Sequence, residues 1–327
     1  MARTRVAVIR GGRGAEYEVS LETGKSVLAN LPEDKYQGVD ILVAKDGVWH
    51  AAGLPIRPAD LPHYAEVAFI GLHGEYGEDG EVQKILDEIR LPYTGSGQVA
   101  SALGMNKAAA KKILSEAGVR VPYGLVFENI ADAGETASFV FSKVSPPWVI
   151  KPNDKGSSVG LYFARTFTEL VEAIAECSYH SRSVLVEEYL KGREATCGVI
   201  DNFRREKIYP LLPIEIIRPG TCPVWTYDDK YSGATSELCP GRFSPAESAE
   251  IQRLARQIHE LLDLRHYSRS DFIVTPRGVY ALEVNTLPGL TTESLLPKAL
   301  AAVGCSYDHF LDHLLVLALS EKRGMIA

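Results

Sequence analysis

Cysteine is scarce in this chain of 327 residues. There are five (Cys177, Cys197, Cys222, Cys239 and Cys305), an odd number at wide spacings with no C-x-x-C pair. That excludes a disulfide framework and a thiolate zinc site, and it points to a reducing cytoplasm. Basic residues are in the minority, 35 Lys and Arg against 42 Asp and Glu, so the net charge of −7 leaves no basic footprint for nucleic acid. No stretch approaches the ~20 apolar residues of a membrane span. The apolar run RVAVI near the basic N-terminus is too short for the core of a secretion signal and reads as a first strand. Internal repeats and low-complexity tracts are also lacking. What is present, 46% apolar and 24% charged residues, is ordinary for a soluble globular protein, and the length suits two or three domains.

The first third reads as βα units of a doubly wound α/β domain. A strand over Val6–Ile9 runs into the glycine-rich turn GGRGAEYEVS. Gly12-Arg13-Gly14 begins like a dinucleotide fingerprint, but the third glycine of G-x-G-x-x-G falls on Tyr17. Thr23-Gly24-Lys25-Ser26 ends like a Walker A loop, but the earlier glycine falls on Val19. Both readings fail, leaving a strand–turn–helix that presents Glu16 and Ser20 near backbone N–H groups. Val67–Leu72 is a continuous apolar run, as in a buried parallel strand. It ends in the tight loop HGEYGEDG, at the strand end where open α/β sheets place ligands. Val82, Ile85, Leu86 and Ile89 then form one helical face.

Around Thr94–Gly97 the pattern becomes α+β. Asn106 caps a helix over Lys107–Ala117 that Gly118 closes. Trp148–Lys151 reads as a strand, Thr166 with Glu169 as a capping box, and Val184–Tyr189 and Glu194–Ile200 as strands. From Asp201 to Arg242 repeated prolines predict an irregular, functional loop. Ser244-Pro245-Ala246-Glu247 then opens a core-facing helix, and Phe310–Leu319 makes a last amphipathic one. Gly156-Ser157-Ser158-Val159-Gly160 matches G-x-S-x-G, yet it lacks the strand before and the helix after that a nucleophile elbow requires. A lid whose backbone N–H groups wrap phosphate oxygens fits it better.

The chain turns on residues 271–294, DFIVTPRGVYALEVNTLPGLTTES. Two apolar runs flank Pro276-Arg277-Gly278, a hairpin pattern. Pairing symmetric about Arg277 sets Asp271 across from Glu283 and Arg269 across from Asn285, so Asp271, Glu283 and Asn285 project to one side. Opposed carboxylates repel. A hard divalent cation bound by oxygen reverses that cost, and such a site calls for a phosphate partner.

The strings AEYEVSLETG, LHGEYGEDG, PYTGSG with ALGMNK, VIKPNDKGSSVG, VLVEEYLKGRE, KYSGAT, RSDF and LEVNTLPGLTTESLLP follow one another over nearly the whole chain. Together they resemble the ATP-grasp superfamily and, within it, the D-alanine–D-alanine ligases. The resemblance implies a three-domain ATP-grasp architecture: an N-terminal α/β substrate domain (1–96), a central subdomain (97–191) and a C-terminal subdomain (192–327). Its cofactors would be ATP and two Mg2+ ions, with Mn2+ as a substitute. Its partners would be D-alanine and ATP, with no nucleic acid or membrane, in a cytoplasmic homodimer.

Carried over position by position, the resemblance has Lys107 and Lys151 bind the ATP phosphates, with Lys230 reaching the γ-phosphate. Glu187, Tyr189 and Leu190 would hold adenine and Glu194 ribose. Asp271, Glu283 and Asn285 would hold the metals. Glu16 would anchor the first D-alanine ammonium, linked through Ser157 to Tyr231, with His73 by that substrate's carboxylate. Arg269 and the N–H of Gly289 would form the oxyanion site, and Ser294 and Leu295 would receive the second carboxylate. Arg10, Arg13 and Tyr17 depart from the commonest residues of such ligases, and Arg10 is a candidate for altered specificity. Sister ligases that make D-alanyl-D-lactate or D-alanyl-D-serine are the alternative, and a nucleotide-binding protein without catalysis is a more distant one. Lys230-Tyr231 resembles the dipeptide-forming type, and the retention of every metal ligand and of Arg269 speaks against a loss of catalysis.

Overall fold

A computed structural model describes residues 3–156, 160–218 and 235–324. Ser157, Lys230 and Tyr231 therefore lie outside the described residues, and so do the roles expected of them. The described residues form three sheets.

In the first sheet, β1 (Thr4–Gly11) is parallel to β2 (Tyr36–Val43) on one side and to β5 (Val67–Ile70) on the other. The short strands β3 (Trp49–Ala51) and β4 (Leu54–Ile56) extend it antiparallel beyond β2. Helix α1 (Tyr17–Asn30) connects β1 to β2, and α2 (Leu61–Tyr64) precedes β5. The winding direction reverses at β1, so the loops after β1 and β5 open side by side at a topological switch point. The expected buried strand is β5, all four residues of which are buried. Helix α3 (Glu81–Glu88) follows its loop.

Helices α4 (Gln98–Met105) and α5 (Lys107–Glu116) come next; Asn106 caps α5 by accepting from Ala109 N at 3.0 Å. The second sheet contains β6 (Gly124–Glu128), β7 (Trp148–Pro152), β8 (Tyr162–Ala164) and β9 (Ser183–Glu188), antiparallel in the order β6-β9-β7-β8. Helices α6 (Ala133–Lys143) and α7 (Phe167–His180) cover it, and Val140, Trp148, Ile150, Leu170, Ile174 and Val186 fill the space between. The Thr166–Glu169 capping box opens α7. Because strand β8 follows the G-x-S-x-G run, the helix of a nucleophile elbow is missing.

The third sheet runs β13-β12-β10-β14-β15, with β11 paired to β10. Its strands are β10 (Arg193–Phe203), β11 (Glu206–Pro210), β12 (Ile214–Ile217), β13 (Ser236–Leu238), β14 (Tyr267–Thr275) and β15 (Gly278–Asn285). The expectation of an irregular stretch from Asp201 to Arg242 is thus corrected: three strands lie within it. Two of its prolines sit at strand margins, Pro210 ending β11 and Pro213 preceding β12, where a missing N–H is tolerated. Ser244 and Glu247 cap α8 (Pro245–Leu261), whose Ile251, Leu254 and Ile258 cover the face of the sheet that presents Phe272, Val274, Val279 and Ala281. Ala110 and Leu114 of α5 join that same core. The last helices, α9 (Leu295–Ala302) and α10 (Tyr307–Gly324), place Leu296, Leu300, Phe310 and Leu314 in one apolar core with Val8, Phe69 and Leu72. The end of the chain thereby clamps the first sheet beside the third. Among the described residues no helix is long and apolar enough to cross a membrane.

Candidate active site

The hairpin of β14 and β15 forms the floor of the site. Its turn pairs Thr275 with Gly278, a two-residue connection that by itself sets Asp271 opposite Leu282. A bulge between Asp271 and Phe272 changes this: Phe272 pairs with Ala281, Asp271 with Glu283 and Arg269 with Asn285. The expected functional pairs therefore form, although the register next to the turn is one residue off the symmetric expectation. Burial records the same shift. Val279 and Ala281 face the core, then Val284 does, with Glu283 and Asn285 turned to the cleft face. Without the extra residue, period-two alternation would drive Glu283 into the core beside Ala281. The bulge removes the cost of a charge inside YALEV.

Arg269 and Asp271 stand two apart on β14, on the same face. The guanidinium grips both carboxylate oxygens, Nε to Oδ1 at 2.9 Å and Nη2 to Oδ2 at 3.0 Å. Thr196 of β10 donates to Oδ1 at 2.6 Å, and the Asn285 amide donates to Oδ2 at 3.1 Å. Burial works against the arginine's charge, but Asp271 outweighs it and raises the guanidinium pKa above its ordinary value. Two carboxylates on facing strands and one amide oxygen are the hard donors that magnesium takes. Among the described residues no group of three His, Cys, Asp or Glu gathers for a metal, so a magnesium ion here would need the Asn285 oxygen as a third donor. To bind a metal, Asp271 would also have to share oxygens held by Arg269.

Above this floor lies a cleft of about 450 Å3 lined by Glu16, His73, Glu78, Arg269, Asn285 and Gly289, among others. Glu16 occupies the N-cap position of α1, at the end of the loop after β1, and its side chain makes no capping bond. Its Oε2 sits so close to Gly74 and Gly156 that a Cβ on either would lie 2.1 or 2.9 Å from it. Three segments meet at this carboxylate, the last of them one residue before Ser157. Lys155 of that segment is paired with Glu75 at 2.8 Å, a second tie between the two loops.

His73 is buried with both ring nitrogens engaged: Nδ1 is 2.9 Å from the Leu287 carbonyl and Nε2 2.7 Å from the Thr23 hydroxyl. The carbonyl can only accept, so Nδ1–H donates to it, and Nε2 is paired with the Thr23 hydroxyl. Glu78 takes part as well, accepting from Gly74 N at 3.0 Å, Thr286 N at 3.1 Å and Leu287 N at 2.9 Å. Burial, then the nearby Glu16 charge, pushes its carboxyl above the ordinary range. His73 and Glu78 thus fasten the loop after β5 to the turn after β15. Beyond that turn, Ser294 is the N-cap residue of α9; its Oγ accepts from Thr291 N at 3.1 Å and lies next to Gly289, with Leu295 buried behind it. Free N–H groups at such a helix start favour a carboxylate.

On the far side, α5 and the ends of β7 and β9 converge. Ala108 N donates to Asn153 Oδ1 at 2.8 Å, and the Lys107 ammonium donates to the Lys155 carbonyl at 2.5 Å. Lys151 contacts the buried Glu187 carboxylate at 2.9 Å. On the other Glu187 oxygen sits Lys111, a residue that sequence reasoning missed. Burial opposes ionisation of Glu187, but the two ammonium groups prevail and hold its carboxyl below the usual range. Tyr189 stands edge-on to Phe163 with ring centroids 5.1 Å apart, Leu190 is buried beside it, and Glu194 pairs with Arg218 at 3.2 Å.

The structure therefore gathers Glu16, His73, Arg269, Asp271, Glu283, Asn285, Gly289 and Ser294 around one cleft and its floor, and Lys107, Lys151, Glu187 and Tyr189 along an adjoining seam. Arg10 is drawn aside by Asp40, with both contacts at 2.7 Å, and it does not line the cleft. Arg13 lies over the Tyr76 ring, 5.1 Å from its centroid. Besides Lys111, the sequence reading missed Glu78. The i, i+4 spacing of Lys107 and Lys111 and the acidic loop HGEYGEDG were the available hints.

Known proteins resemble this chain over nearly its whole length. A family model described as "D-ala D-ala ligase C-terminus" matches residues 97–316, and one described as "D-ala D-ala ligase N-terminus" matches residues 50–96. A D-alanine–D-alanine ligase of Syntrophobacter fumaroxidans is 38% identical over 97% of this chain and 98% of its own. Among solved structures, the D-alanine–D-alanine ligase of Bacillus anthracis complexed with ATP superposes with a TM-score of 0.81 at 29% identity, covering 98% of this chain and 99% of that one. The VanG D-Ala:D-Ser ligase of Enterococcus faecalis reaches 0.85 at 29% identity, over 97% of this chain and 100% of that one. These ligases share the ATP-grasp fold. With a family model spanning well over half of its length and a relative this similar end to end, the chain belongs to the D-alanine–D-alanine ligase family.

Proposed function

We propose that the chain joins two D-alanine molecules into D-alanyl-D-alanine at the expense of ATP, supplying the dipeptide for cell-wall peptidoglycan. One observation carries this reading: a single bulged hairpin sets Asp271 within hydrogen-bonding reach of both Arg269 and Asn285, between an open cleft and a lysine-lined seam. A carboxylate is a poor electrophile, so one oxygen of the first D-alanine attacks the γ-phosphorus, and ADP leaves. The amine of the second D-alanine, once deprotonated, attacks the acyl carbon of the resulting D-alanyl phosphate, and phosphate departs.

In this reading Glu16 holds the first ammonium and His73 orients that substrate's carboxylate. Ser157 and Tyr231 complete the chain of contacts from Glu16. Ser294 and Leu295, at the start of α9, seat the second carboxylate. Arg269 and the Gly289 N–H face the oxygen on which charge grows, donors of a kind worth about 2.7–4 kcal/mol each. Lys107, Lys151 and Lys230 draw charge from the ATP phosphates, while Glu187, Tyr189, Leu190 and Glu194 hold the nucleoside. Asp271, Glu283 and Asn285 would hold magnesium, which would supply neutralising charge for phosphoryl transfer. The division into units 1–96, 97–191 and 192–327, a homodimer and a cytoplasmic location belong to the same proposal.

Phosphate release with ATP, magnesium and one amino acid at a time tests it. D-alanine alone is expected to support turnover; release with D-alanine only when D-serine or D-lactate is added would favour a sister ligase. The relatives at 36–38% identity carry the D-alanine–D-alanine name, which favours the dipeptide.

A further inference from the structure

Glu187 is one carboxylate shared by two lysines, deep in the seam between the second and third sheets. Its side chain is 3% exposed, and those of Lys111 and Lys151 are 8% and 12% exposed. The lysines approach opposite oxygens, Lys111 on Oε1 and Lys151 on Oε2. Two ammonium groups therefore share this one carboxylate, with the charge of Glu283 also acting on both. The two lysines also differ in anchorage. Lys111 rises from the middle of α5, whose Ala110 and Leu114 are fixed in the core of the third sheet. Lys151 lies at the end of β7, just before the glycine-serine loop.

We infer that Lys111 is a positioning residue that frees Lys151 for the nucleotide: it keeps Glu187 paired when Lys151 turns from that carboxylate to a phosphate oxygen. The inference rests on the reading of Lys151 as a phosphate ligand. If Lys151 were the sole partner of Glu187, each binding event would strand a buried carboxylate, and a buried charge deprived of its partner is strongly unfavourable. With Lys111 in place, Glu187 keeps a lysine partner through the exchange. Lys111 itself touches no phosphate in this scheme. Its ammonium is pushed down to about 7 by burial, against the pull of Glu187, so its contribution falls away as the solution becomes alkaline.

The test is calorimetric titration of the full chain with magnesium–AMP-PNP. Lys111→Met is expected to weaken binding about tenfold or more, because Lys151 is then retained by Glu187. Lys111→Met/Glu187→Gln is expected to regain the affinity of Glu187→Gln alone, since no carboxylate remains to be neutralised. A purely structural role for Lys111 would not be relieved in that way. Unchanged binding by Lys111→Met, or a double variant tenfold weaker than Glu187→Gln, overturns the inference. The comparison of Glu187→Gln with the double variant decides even if Lys111→Met does not fold. Lys151→Met separates the two readings: if it binds as the wild type does, the phosphate assignment of Lys151 has failed. If it binds weakly while Lys111→Met does not, only the role of Lys111 has failed.

Discussion

Gly74→Ala is the sharpest perturbation of the seat proposed for the first substrate. Gly74 has φ +61°, and a Cβ there would lie 2.1 Å from Glu16 Oε2. Ordinary contact begins at about 3.4 Å, so the Glu16 carboxylate must retreat by roughly an ångström, a misplacement on the scale that costs about 100-fold in rate. The backbone conformation adds about 1–2 kcal/mol of strain for any L side chain. Gly53 separates the two effects, because it has φ +78° but nothing within 4 Å of its would-be Cβ. Gly53→Ala should therefore lower the melting temperature by a few degrees and leave kcat/KM for D-alanine unaltered. Gly74→Ala should melt similarly, yet lose about 100-fold in kcat/KM for D-alanine while KM for ATP changes little. If both variants keep wild-type kcat/KM at equal stability, Glu16 does not anchor the amino acid and the reasoning fails.

Arg269→Lys should lower kcat by about 100- to 1000-fold, because a single ammonium cannot both grip Asp271 through two contacts and face the oxyanion; near-normal dipeptide formation would sink the oxyanion role. Stripping divalent ions with EDTA should abolish phosphate release, and added magnesium should restore it; turnover at full rate in EDTA would remove the metal assignment. Away from the site, Glu247 is held at about 2 by the Arg193 hydrogen bond first, then by the Ser244 N–H. A carboxyl depressed on folding stabilises above its unfolded pKa and loses that contribution as pH falls through its folded one. The melting-temperature gap between wild type and Glu247→Gln should therefore be full above about pH 4.5 and shrink toward pH 2; a gap independent of pH contradicts it.

Local chemistry was legible in the sequence wherever it acts through near neighbours. The Thr166 and Ser244 capping boxes, the Asn106 cap and the hairpin turn all depend on residues within a few positions, and all are found. The bulge at Leu282 was not legible. A turn centred on Arg277 and a two-residue turn with a bulge give the same Asp271–Glu283 pair, and only the buried face of β15 tells them apart. Proline misled between Asp201 and Arg242, because its meaning depends on whether a strand lies at an edge, and that is decided by β10 and β12 pairing at a distance. Glu78 and Lys111 escaped for a related reason. Their partners, Leu287 and Glu187, are far away in sequence, and nothing local separates these side chains from ordinary surface charges.

The central claim is that a carboxylate of D-alanine takes a phosphoryl group before the peptide bond forms. D-alanine labelled with oxygen-18 in its carboxyl group tests this directly, incubated with the enzyme, magnesium and ATP. The account predicts one labelled oxygen in the inorganic phosphate for each dipeptide made, because the bridging oxygen leaves with the phosphoryl group. Dipeptide formed with unlabelled phosphate, or with the label in AMP, would contradict it.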